Sequence, residues 1–92
     1  MKKADSRKLT DLVSVGPATK RDFDLLGISS VEQLAKQDAQ ELYLRLSKLM
    51  GQKIDICALD VFCTAVAQAK NPNLPEEQKP WHYWSRLRKS KK

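Results

Sequence analysis

Apolar residues recur every three or four positions through most of the chain, the period of a helix with one buried face. Leu9, Leu12 and Val13 form a stripe that predicts a first helix over about 6–13. A second helix begins at Pro17, where the missing N–H is harmless. It runs to Leu26 with Phe23 and Leu26 inward, and Gly27 stops it. Ser29 with Glu32, or Ser30 with Gln33, has the spacing of a capping box for a short third helix. Asp38 with Glu41 repeats that spacing ahead of a fourth, where Leu42, Leu46, Leu49 and Met50 share one face until Gly51. Asp55 can cap a fifth helix, about 56–70, in which Ile56, Leu59, Phe62, Val66 and Ala69 recur every three or four residues.

Three prolines in "NPNLPEEQKP" then break any helix, so residues 71–80 read as a surface connection. "WHYWSRLRKSKK" follows, read as one or two helical turns and then a frayed basic end. Trp81 and Trp84 stand i,i+3 on one face and suit burial against the domain better than stacking on bases. No period-2 alternation competes with the helices. The expected organisation is a helical domain over 1–70, a proline-rich connection over 71–80, and an aromatic segment with a basic tail over 81–92. The class is all-α.

Charge changes this picture at one end. The chain has 92 residues and a formal net charge of +6. Residues 1–30 carry six basic and four acidic groups, residues 31–80 six and seven, and residues 81–92 five and none. The body is nearly neutral, and the excess sits in the tail at Arg86, Arg88, Lys89, Lys91 and Lys92. Such a segment can follow a phosphate backbone, or simply solvate the end of the chain.

The chemistry of catalysis is missing from the pattern. There is one histidine, His82, and no phosphate-cradling glycine loop, nucleophile elbow or carboxylate cluster with metal spacing. Cys57 and Cys63 lie six residues apart on one predicted helix, about 9 Å along its axis, too far for a disulfide. A non-enzymatic protein with no cofactor and no metal is expected. No apolar run approaches the ~18 residues of a membrane span, and the basic start is followed by no apolar stretch. The expected location is cytoplasmic, with no membrane partner.

The segment "LTDLVSVGPATKRDFDLLGISSVEQL" resembles a helix-hairpin-helix motif: an apolar pair, a turn with glycine, a second helix, then Gly-Ile and a capped third helix. A helix start presents backbone N–H groups without partners, and a phosphate oxygen satisfies them well. Gly16 is expected to take backbone angles closed to other residues. The candidate contacts are Ser14, Val15 and Gly16 in the turn, the N–H groups of Ala18 and Thr19, and the side chains of Lys20 and Arg21. Ser14 stands where the motif usually has its first glycine, and is expected to face outward and stay small. Lys20 and Asp24, four apart, can pair with each other instead.

Together with "LYLRL", "DICALDVFCTAVAQA" and "WHYW", this segment is similar to the pathogenicity-locus family of small bacterial helix-hairpin-helix proteins. The likeness spans roughly residues 8–84, and the hairpin also resembles the C-terminal domain of the competence regulator TfoX. The resemblance implies a compact five-helix fold of the SAM-like kind, containing one helix-hairpin-helix motif and working around DNA. Two readings stand. One is weak, sequence-independent DNA binding through the hairpin backbone and the basic tail. The other is a protein–protein interaction module of SAM-like fold that binds no DNA.

Overall fold

The computed structural model describes residues 7–90, all of whose regular elements are helical. A 3-10 turn at Leu9–Asp11 leads into α1 (Pro17–Leu25), α2 (Val31–Ala35), α3 (Ala39–Met50) and α4 (Cys57–Lys70). A second 3-10 turn at Glu76–Gln78 precedes α5 (Trp81–Ser90).

Local chemistry sets these limits. Gly27 and Gly51 hold φ of 79° and 70°, the left-handed conformation that ends a helix. Past Gly27, the Ile28 N–H donates to the Phe23 carbonyl at 2.9 Å, and the buried Ile28 and Phe23 side chains join the same core. Ser30 caps α2 by accepting from the Gln33 N–H, and Asp38 caps α3 by accepting from Gln40 N–H. Asp55 accepts from the Cys57 N–H at 2.9 Å at the start of α4. That bond holds the Asp55 carboxyl below its ordinary value.

Helix α4 is the centre of the packing, touching α2, α3 and α5. Phe62 from α4 and Phe23 from α1 are fully buried with ring centroids 5.5 Å apart. Leu34, Leu42, Leu46, Val31 and Ala65 close around them. The expected burial of Phe23, Leu42, Leu46, Phe62 and Val66 is what the structure has. Leu59 is only half-buried.

Four expectations need correction. The first helix, expected over 6–13, is within the described residues only the 3-10 turn at Leu9–Asp11, with residues 1–6 outside them. On α3, Leu49 and Met50 are exposed, and Tyr43 is buried instead. Its hydroxyl donates to the Ile54 carbonyl at 2.7 Å. Trp81 remains 37% exposed rather than buried. The basic end does not fray after one or two turns: α5 is helical through Ser90 and packs on α4.

The 71–80 connection folds back onto α4. The Thr64 hydroxyl donates to the Lys79 carbonyl, and Trp84 Nε1 donates to the Gln78 carbonyl at 2.7 Å. The Cα radius of gyration is 12.9 Å, against about 12 Å for a single compact domain of this length. The aromatic segment is therefore part of the globule.

Candidate nucleic-acid interface

The turn between residues 12 and 17 is held by residues distant in sequence, on α4 and at the start of α5. The Gln68 side chain on α4 accepts from the Val13 N–H at 2.9 Å and donates to the Val13 carbonyl at 3.0 Å. This two-point grip fixes the chain entering the turn, and the buried Val15 side chain fixes the chain leaving it. Between them Ser14 holds φ 73°, the only positive φ at a non-glycine residue in the described chain. A glycine at this position would adopt that backbone without steric cost.

Ser14 does not face outward. It is half-buried, and its hydroxyl accepts from the Trp81 N–H at 3.0 Å. The start of α5 is thereby tied to the turn ahead of α1. Gly16 also differs from expectation: its φ is −99°, extended backbone open to any residue. A Cβ built on Gly16 meets nothing within 4 Å. Neither the backbone nor the packing of this chain asks for glycine there.

Gly16 is the N-cap of α1, and no side chain caps that helix. Among the described residues, no acceptor meets the N–H groups of Gly16, Ala18 or Thr19, whereas the Lys20 N–H reaches the Gly16 carbonyl at 2.9 Å. Lys20 Nζ lies 2.7 Å from Asp24 Oδ1, so this lysine is paired along its own helix. Arg21 is exposed beside it. Partial burial pushes the Asp22 carboxyl up, with the Arg21 charge pulling the other way.

The tail cations separate into two kinds. Arg88 donates through Nε and Nη2 to the two Asp60 oxygens, both at 3.0 Å, and the Asp60 side chain is 1% exposed. The Asp60 hydrogen bond raises the Arg88 pKa further. Arg88 is thus committed to holding α5 on α4. Arg86 and Lys89 are exposed, and with His82 they stand at i, i+4 and i+7 on one stripe of α5. Lys91 and Lys92 lie outside the described residues.

Sequence reasoning missed the Gln68 grip, the Ser14–Trp81 bond and the Asp60–Arg88 pair. Only the last left a signal. Asp60 is a lone carboxylate amid the apolar positions of α4, and a buried charge demands a partner. Among the described residues no three His, Cys, Asp or Glu side chains gather where they could hold a metal ion. No helix among them is long and apolar enough to cross a membrane. Cys57 and Cys63 are not bonded to each other.

The fold and this turn define a small all-helical domain in which the start of α5 is bonded to the turn ahead of α1. The chain belongs to the pathogenicity-locus family, which matches residues 2–90. It is 40% identical over 89 residues to the mitomycin resistance protein McrB of Streptomyces lavendulae, covering 97% of this chain and 81% of that protein. No solved structure matches the chain significantly.

Proposed function

We propose that residues 9–25 act as a helix-hairpin-helix unit with a shortened first arm, and that the protein binds DNA without sequence preference. The observation that carries this reading is Gly16. A residue that no internal constraint requires to be glycine leaves the start of α1 bare, with the Gly16, Ala18 and Thr19 N–H groups open to an approaching phosphate. Arg21 at the side of α1 and Arg86 and Lys89 on α5 add positive charge. Contacts of this kind hold the backbone and carry no base information. The relative's name ties that protein to mitomycin resistance and names no partner.

Gly16→Leu tests the reading, since the residue has ordinary φ and open space, so the variant folds. Binding to a generic duplex at low salt should fall at least tenfold with the circular-dichroism melt unchanged. Equal binding by a folded Gly16→Leu protein would reduce the turn to a structural corner. The protein-interaction reading would then take its place. That second reading has its own support: Ala18, Leu25 and Met50 line an open groove with Arg21 and Asp22 at its edge. Leu25 and Met50 are 57% and 49% exposed.

A further inference from the structure

Helix α1 buries Phe23 in the core, and a second stripe on it is left uncovered. Ala18, Arg21, Asp22 and Leu25 stand at i, i+3, i+4 and i+7, the spacing of one helix face. With Met50 from the end of α3 they line one open groove of about 440 Å³. Arg21 is exposed and Asp22 half-buried, and among the described residues neither makes an ion pair. Lys20 and Asp24, on the same helix, are already matched to each other.

We infer that this groove takes a second copy of the chain, with the two α1 helices laid antiparallel about a two-fold axis. The midpoint between Ala18 and Leu25 is also the midpoint between Arg21 and Asp22. An axis at that point sets Ala18 against the partner's Leu25 and Arg21 against the partner's Asp22. A small side chain then faces a large one, and a cation faces an anion, on both sides of the axis. A two-fold contact needs a patch that complements itself in this way. A parallel pairing would instead set Arg21 on Arg21 and Asp22 on Asp22, which repels. Five lining residues a side fall well short of the roughly 20–30 of a standard interface, so the pair is weak and reversible. The inference rests on the groove behind the protein-interaction reading and commits it to one partner. Arg21 is also among the cations of the DNA reading, so the test is made without DNA.

The test is sedimentation equilibrium of the full chain, from about 10 µM to about 1 mM, the range of weak contacts. The parent's average mass should rise from the 10.5 kDa of one chain toward twice that value. Leu25 is exposed, so Leu25→Ser keeps the fold, and it should weaken association about tenfold or more. Arg21→Asp leaves two carboxylates on the stripe and Asp22→Arg two guanidiniums, so each variant alone should stay at the mass of one chain. An equimolar mixture of the two restores cation against anion at both positions and should associate at least as well as the parent. Circular dichroism checks that each variant is folded. Should Asp22→Arg fail to fold, Leu25→Ser and Arg21→Asp still decide, since both replace exposed side chains. A parent at single-chain mass throughout would overturn the inference and leave the groove to a different protein. Leu25→Ser associating like the parent would overturn it by clearing the groove of any part. A mixture no heavier than its components would overturn it by refuting the antiparallel register.

Discussion

Ser14 holds a left-handed backbone and at the same time lends its hydroxyl to the Trp81 N–H. The two effects oppose each other. A side chain at that φ costs on the order of 1 kcal/mol, and the hydrogen bond returns a similar amount. Ser14→Ala keeps the strain and loses the bond, so it should destabilise by about 1 kcal/mol in a urea titration. Ser14→Gly loses both and should be nearly neutral. An alanine variant as stable as the parent would show that the bond to Trp81 contributes nothing, and one as stable as the glycine variant would show that the backbone carries no strain. A different balance holds at Asp22, whose carboxyl is pushed up by partial burial. A raised carboxyl pKa means the charged form disfavours the fold, and the penalty is present above that pKa and absent once both states are protonated. Asp22→Asn should therefore raise the Tm at pH 7 and leave it unchanged near pH 3. The glycine preference at position 14 was legible as a motif, but the partner of the serine hydroxyl, Trp81, lies 67 positions away, where no local pattern points. Gly16 was legible as a turn glycine for the wrong reason, since its φ is ordinary.

Among the elements, α3 and α4 were the most readable, because a long apolar period, a polar cap and a closing glycine all agree about each. Asp55 shows the cap in energetic form. Its folded pKa is depressed by the Cys57 N–H, so its stabilisation is present above the ordinary carboxylate value and is lost as pH falls through the folded one. Asp55→Asn can keep the hydrogen bond but cannot titrate. The parent's Tm should therefore fall more than the variant's between about pH 4 and pH 2, where the carboxylate protonates. Helix α5 was the least readable. Its charge run suggested a frayed end, yet Arg88 is bound by a carboxylate 28 positions earlier on α4. Removing one partner of a buried pair leaves an uncompensated charge, while replacing both by apolar groups is far milder. Arg88→Ala should lower the Tm by on the order of 10 °C or more, and Arg88→Leu combined with Asp60→Leu should recover most of that. If the double variant melts below the single one, the pair is not what docks α5.

For the whole molecule, the formal charge of +6 overstates the field that DNA would meet. Lys20 is matched by Asp24 and Arg88 by Asp60, so two of the cations singled out by sequence are already neutralised within the fold. Arg86 and Lys89 remain exposed on α5, on the same helix whose start is bonded to the turn ahead of α1. The Ser14–Trp81 bond joins the turn ahead of α1 to the start of α5, two segments read separately from sequence. It also changes how the tail must be tested. Cutting the chain at residue 86 would strip Asp60 of its partner and unsettle α5, so lost binding could not be told from lost structure. Replacing Arg86 and Lys89 by serine leaves the Asp60–Arg88 pair in place. Each phosphate contact contributes about 0.9 to the slope of log affinity against log salt on duplex DNA, so this double variant should lower the slope by about 1.8. Arg88→Lys, which keeps the charge beside Asp60, should leave the slope where it was. A double variant with the parent's slope would remove α5 from the binding surface and confine any DNA contact to the hairpin.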